Sequence, residues 1–132
     1  MNYQEAINYI QSFPDMERAT FGARGPTMGL PSMISLLERM GNPHLGRKTI
    51  HIAGSKGKGS TSIMVSRILD QAGFKTALFT SPHLHDYCER IAFGSIPLTR
   101  EAFAQGVEEI KPAIEAEKQA GNETIATFGI LT

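Results

Sequence analysis

The chain has 132 residues, 41% of them apolar and 20% charged, and its 13 basic and 13 acidic side chains cancel to a formal net charge of zero. That is chain enough for one small packed domain, and the charge balance gives no support to a nucleic-acid partner, for which a basic face is expected. Cys88 is the single cysteine, so no disulfide can close within the chain, as suits a reducing compartment.

The N-terminal run MNYQEAINYIQSF mixes polar and apolar residues and has no basic stretch leading into an apolar one, so it does not read as a signal peptide. No segment approaches the roughly 20 apolar residues of a membrane helix. The expectation is a cytoplasmic protein with no membrane partner.

In chain order, Asn2 to Phe13 places Tyr3, Ala6, Ile7, Tyr9 and Ile10 at helical spacing, and Pro14 stops it. Phe21 to Pro31 is rich in glycine and proline and reads as a loop. Pro31 suits the first position of a helix carrying Ile34, Leu36, Leu37 and Met40, which Gly41, Asn42 and Pro43 end. Lys48 to Ala53 looks like a buried strand, and Gly54 to Gly59 like a glycine-rich turn. Ser60 to Ala72 reads as a helix with Met64, Val65, Ile68, Leu69 and Ala72 on one face, closed by Gly73. Lys75 to Thr80 is the next strand. Strand, helix and strand in so short a span predict a βαβ unit with a right-handed crossover. After a loop from Ser81 to Asp86, Arg90–Phe93 and Ile96–Leu98 form a hairpin or two extended arms around Gly94-Ser95. Thr99 caps a long helix through Phe103, Val107, Ile110 and Ile114, with a kink expected at Pro112 and an end at Gly121-Asn122. Thr124 to Thr132 begins a further apolar element. Two clear parallel strands are few for a covered parallel sheet, so the chain reads as a fragment of a larger protein.

The run Ile52-Ala53-Gly54-Ser55-Lys56-Gly57-Lys58-Gly59-Ser60-Thr61 leaves a predicted strand and enters a predicted helix. Glycines let backbone N–H groups approach an anion, and the helix N-terminus adds donors and partial positive charge. Lys58 can reach β- and γ-phosphates, and a hydroxyl at Ser60 or Thr61 can ligate Mg²⁺. The match to G-x-x-x-x-G-K-[ST] is not literal: Ile52 stands where the first glycine belongs, and Gly59 follows the lysine. A glycine-rich turn without a ligand is the competing reading. Against it, lysines crowded at a helix N-terminus oppose the helix dipole unless an anion is present.

The form G-[ST]-x-G-K-G-S after His51-Ile52-Ala53 resembles the ATP loop of folylpolyglutamate synthase and dihydrofolate synthase, members of the Mur ligase superfamily. The resemblance continues at Leu36-Leu37-Glu38-Arg39-Met40-Gly41-Asn42-Pro43, at Thr80-Ser81-Pro82-His83-Leu84 and at Glu89-Arg90-Ile91, and spans Leu30 to Phe103. It implies an α/β, P-loop NTPase-like three-layer domain with a mostly parallel sheet, of which residues 1–132 are the N-terminal part, without the C-terminal domain. It implies ATP and Mg²⁺ as cofactors. The implied reaction is transfer of a phosphoryl group to a carboxylate of dihydropteroate or folate, then attack by the amine of L-glutamate. Gly54, Ser55, Lys56, Gly57, Lys58, Gly59, Ser60 and Thr61 fall on the ATP loop, with Lys58 catalytic and Ser60 the metal-binding hydroxyl. Ser81, Pro82, His83, Leu84 and Arg90 fall on the pterin side of the site. The intact protein is expected to be a monomer.

One departure stands out. Relatives carry a Mg²⁺-binding Glu in a segment like T-x-F-E-x-L-T, and this chain has Gly129 there, in Ala126-Thr127-Phe128-Gly129-Ile130-Leu131-Thr132. The family's carbamylated lysine, metal-binding histidine and C-terminal domain are absent, so the chain alone is expected to be inactive. Two other readings stay open: a Mur-type ligase acting on a cell-wall precursor, and a nucleotide-binding module without ligase activity.

Elsewhere, His83, His85, Cys88 and Glu89 offer zinc-ligating residue types at an unfamiliar spacing. His83 is expected to line the substrate loop and His85 to face solvent. His51 reads as a hydrogen-bonded core histidine, Glu89 and Arg90 as a surface pair, and Arg24 as a solvated loop arginine. Met28, Met33 and Met40 read as packing residues.

Overall fold

A computed structural model of the chain describes residues 1–15, 30–122 and 125–132. Arg24, Met28, Thr124 and most of the expected Phe21–Pro31 loop lie outside the described residues. The rest forms two compact units: Met1–Arg47 with Ala104–Thr132, and Lys48–Phe103.

The first unit is helical. α1 (Tyr3–Gln11) starts at Asn2, whose side chain accepts from the Glu5 amide while the Glu5 carboxylate accepts from the Asn2 amide. This reciprocal cap satisfies two of the helix's orphan donors. α2 (Leu30–Arg39) begins one residue before Pro31. Its end is turned by Gly41 and Asn42, both at positive φ, with the Asn42 amide donating to the Leu37 carbonyl. α4 (Arg100–Gln119) runs unbroken through Pro112, and Gly121 at φ 82° closes it as the Asn122 amide bonds back to Glu117. Its first four residues belong to the second unit. α5 (Thr127–Leu131) is the apolar element expected at the C-terminal end.

The core of this unit collects Ala6, Ile7 and Ile10 of α1, Phe13, Leu36, Val107, Ile114, Ile130 and Leu131. Thr127 pins α5 to the end of α1: its amide donates to the Pro14 carbonyl at 3.0 Å, and its hydroxyl lies 3.2 and 3.1 Å from the carbonyls of Ile10 and Phe13. Glu117 is fully buried, yet its carboxylate accepts from Arg39, Asn122 and Ser35. Those donors, Arg39 foremost, hold its carboxyl below the usual carboxylate range against the opposing effect of burial.

The second unit departs from expectation. Residues 48–53 form no strand among the described residues, and the expected βαβ crossover is absent. The sheet is instead three-stranded and antiparallel, β1 (Ala77–Phe79), β2 (Ile91–Phe93) and β3 (Ile96–Pro97), in the order β1-β2-β3. A buried parallel strand needs ladder partners on its flanks, and no described residue supplies one to 48–53. His51 is accordingly exposed, not the core histidine expected. The hairpin is as expected: Phe93 pairs with Ile96 across Gly94-Ser95, with Gly94 at φ 59°.

α3 (Lys58–Gln71) starts two residues earlier than the pattern suggests, with Gly57 as N-cap. Gly73, at φ 87°, ends it, and the Phe74 amide reaches back to the Leu69 carbonyl. The apolar face predicted for this helix is not covered: Met64 and Ile68 remain 62% and 68% exposed. No helix among the described residues is long and apolar enough to cross a membrane.

Candidate functional site

The glycine-rich loop turns into α3 at one glycine. Gly57 sits at φ 74°, a left-handed conformation that a side chain would disfavour, and from it the chain turns directly into α3. The first helical hydrogen bond runs from Thr61 N–H to the Gly57 carbonyl at 2.9 Å. The amides of Lys58, Gly59 and Ser60 therefore precede the helical ladder. Gly57 makes no side-chain cap bond, and the first turn of α3 contains no acidic residue. Lys58 itself lies in that turn, and its Nζ folds back to donate to the Gly54 carbonyl at 2.6 Å. A 14-residue helix thus begins with a cation and no counter-charge, against its own dipole. The arrangement suits an anion seated on the amides, with Lys58 swinging from Gly54 to meet it.

Gly54, Ser55, Lys56, Gly57, Lys58, Gly59, Ser60 and Thr61 are all exposed. A Cβ at Gly59 would meet no protein atom within 4 Å, so no packing contact demands glycine there. Ser60 lies in the first turn of the helix. Position 129 supplies no carboxylate, and a side chain placed there would require Met33 to move. A Cβ there would lie 2.7 Å from the Met33 sulfur, and Gly129 is buried. Among the described residues no group of three or more His, Cys, Asp or Glu side chains could hold a metal ion, which removes the zinc reading of His83, His85 and Cys88.

The second group of predicted residues does come together. Arg90 is buried, only 4% exposed, at the end of a 3₁₀ turn, Tyr87–Arg90. Its Nε donates to His83 Nδ1 at 2.8 Å, and its guanidinium carbon lies 5.6 Å from the centre of the Tyr87 ring. The His83 ring lies 4.3 Å from Tyr87, and Tyr87 leads on to Phe103 at 6.3 Å. The Arg90 carbonyl accepts from the Thr80 amide, which ties the start of the loop to β2. Ser81 and Pro82, joined by a cis peptide, and Leu84 are exposed beside this cluster. His85 is exposed, as expected.

Glu89 is the residue whose role the pattern concealed. Its carboxylate accepts from the amides of Leu84, His85 and Asp86 at 2.9, 2.9 and 2.8 Å. The Leu84 bond is the leading cause that holds its carboxyl below the usual range. The available signal was Asp86 three residues ahead of Glu89, a capping box that the 3₁₀ turn forms in full.

No protein-family model matches the chain. Among curated proteins, it is 34% identical over 130 residues to the dihydrofolate synthase/folylpolyglutamate synthase of Bacillus subtilis, which covers 98% of this chain and 28% of that protein. It is 29% identical over 133 residues to the folylpolyglutamate synthase of Lacticaseibacillus casei, covering all of this chain and 29% of that protein. Among solved structures, an FPGS–AMPPCP–folate complex matches 99% of this chain and 30% of its own, with a TM-score of 0.85 at 29% identity. The chain therefore spans less than a third of the length of these relatives. Along its whole length, in sequence and in fold, the chain is similar to the N-terminal part of folylpolyglutamate/dihydrofolate synthases.

Proposed function

We propose that this chain carries the phosphate loop and pterin-facing segment of an ATP-dependent ligase that joins L-glutamate to dihydropteroate or folate. The observation that carries this is the start of α3: an uncapped helix N-terminus that holds Lys58 and no acid. A relative of the same fold is described in complex with AMPPCP and folate, which supports the same two ligands here. In the intact protein we take residues 48–53 to be a strand of a mostly parallel, P-loop-type sheet. The exposed apolar side chains Ile50, Ile63, Met64 and Ile68 are what such a sheet would cover.

A carboxylate is a poor electrophile until one oxygen becomes part of a leaving group. In the proposed reaction a carboxylate oxygen of the pteroate attacks the γ-phosphorus of ATP, and ADP leaves. The glutamate amine then attacks the acyl carbon and phosphate leaves. Phosphoryl transfer asks the protein mainly for position and charge neutralisation. The amides of Lys58, Gly59 and Ser60 and the Lys58 ammonium would supply both. Ser60 would hold Mg²⁺, which neutralises charge on the β- and γ-phosphates when bound. Ser81, Pro82, His83, Leu84 and Arg90 would form the pterin side.

The test is phosphate release from ATP by the intact protein, dependent on both L-glutamate and a pteroate or folate. A Lys58→Ala variant should bind nucleotide about 10- to 100-fold more weakly, the loss expected for a charge-assisted hydrogen bond. A second reading, a nucleotide-binding module without ligase activity, is favoured by Gly129, which supplies no carboxylate to ligate metal. Nucleotide binding with no turnover on any pteroate or folate would establish that reading and exclude the ligase.

A further inference from the structure

The segment holding Ser81, Pro82, His83 and Leu84 has neither helix nor strand, so something else must fix its path. One turn does so. Glu89 Oε2 takes the Leu84 amide, and Oε1 takes the amides of His85 and Asp86. Consecutive backbone N–H groups converging on one anion form the kind of concavity with which proteins bind anionic ligands. Here the anion is internal, supplied from three to five residues downstream. Asp86 reciprocates by capping the turn that carries Glu89: its Oδ1 accepts from the Cys88 amide, and Arg100 donates to its Oδ2. The next residue, Arg90, holds the His83 ring through Nδ1. Four successive residues, 83 to 86, are thus held by two neighbouring side chains of one 3₁₀ turn.

We propose that Glu89 is a positioning residue for the pterin-facing segment, fixing through the amides of Leu84, His85 and Asp86 the path on which Ser81 to Leu84 meet substrate. The proposal rests on the reading of that segment as substrate-binding. The charge and both oxygens are needed. Glutamine offers one acceptor and turns an N–H donor toward an amide, and aspartate is one methylene short.

The experiment is amide NMR of the 132-residue chain and its Glu89→Gln and Glu89→Asp variants, with folate as the ligand probe. In Glu89→Gln, hydrogen-exchange protection at residues 84–86 should fall at least about fivefold, while α4 amides such as that of Val107 keep theirs. Glu89→Asp should fall between the two. Folate should shift the resonances of Ser81 and His83–Leu84 in the parent chain, and bind Glu89→Gln about fivefold more weakly. The response of Gly57–Ser60 to ATP should be the same in both. Unchanged exchange at 84–86 overturns the proposal. So does a Glu89→Gln chain that also loses its α4 signals, because Glu89 would then hold the fold and not one segment. Folate that leaves Ser81–Leu84 unmoved in the parent chain ends the substrate reading instead, and the exchange data decide the positioning role independently.

Discussion

The first unit of the chain closes an apolar core, with Leu30, Ile34, Met40 and Leu45 left exposed outside it, and the second buries few of its apolar side chains. In the first, residues of α1, α2, α4 and α5 meet in a closed core, and Ile10 and Ile114 are almost wholly out of solvent. In the second, Tyr87, Cys88 and Phe103 are the buried apolar side chains among the described residues, while Ile63, Met64, Ile68, Phe74, Phe93 and Ile96 face outward. The same contrast appears in the charged groups. Glu117, in the first unit, is enclosed and satisfied by three neighbours, as a structural hub must be. Lys58, in the second, is exposed, and its Nζ donates to the Gly54 carbonyl of its own loop. Local stability follows buried apolar contact, so the unit with the candidate ligand residues is the one free to rearrange around a ligand.

That contrast can be broken first by truncation. Ile114→Ala should destabilise the first unit by about 3 kcal/mol, since it removes a fully buried branched side chain. Ile68→Ala, on the exposed face of α3, should change stability by no more than about 0.5 kcal/mol. Urea unfolding of the two variants measures both; equal losses would mean that the face of α3 is covered in solution. The second test is acid. The Glu117 carboxyl is held below its unfolded value, so its contribution is fully present above the ordinary glutamate pKa of about 4.3 and is lost as pH falls through the folded value. Glu117→Gln should therefore lower stability at neutral pH and flatten the fall below about pH 4. A pH-unfolding series on α1 and α4 amides, set against the sheet, shows whether the acid limb belongs to the first unit.

The helices were legible in the sequence because their signals are local. Gly73, Thr99 and Gly121 mark ends that depend on a few neighbouring residues, and the structure puts caps or turns at each. The Gly94-Ser95 hairpin was legible for the same reason. The expected strand at 48–53 was not of this kind. Its apolar alternation says that it suits a sheet, but a strand exists only with a partner, and partner identity is not local. Among the described residues the βαβ unit is therefore not formed. In the site, the glycine loop was accessible as residue types at fixed spacing; His83 and Arg90 entered through the family resemblance, and Arg90 is buried against His83 instead of forming the surface pair expected with Glu89. Glu89 was legible only through the Asp86–Glu89 capping-box spacing, because its partners are backbone amides, which leave no other mark on residue identity.

Two smaller tests sharpen the comparison from the side of the second unit. Gly94→Ala should cost about 2 kcal/mol there: position 94 sits at φ 59°, and a Cβ would lie 3.0 Å from the Asp70 carboxylate. Differential scanning calorimetry checks the size, and a loss shared by the first unit would contradict independent behaviour.

The smallest expected effect is at Thr99. Its hydroxyl accepts from the Ala102 amide at 3.2 Å, and its carbonyl takes the Phe103 amide at 2.9 Å, so it starts α4. Thr99→Ala should cost about 1 kcal/mol, and Thr99→Ser should restore most of it. The informative quantity is where that loss appears. Residues Arg100–Phe103 belong to the second unit and the remainder of α4 to the first. If the units differ in local stability, removing the cap speeds hydrogen exchange across 100–103 and leaves Val107 and Ile114 protected by their core. A uniform increase along all of α4 would instead show that the helix opens as one cooperative body.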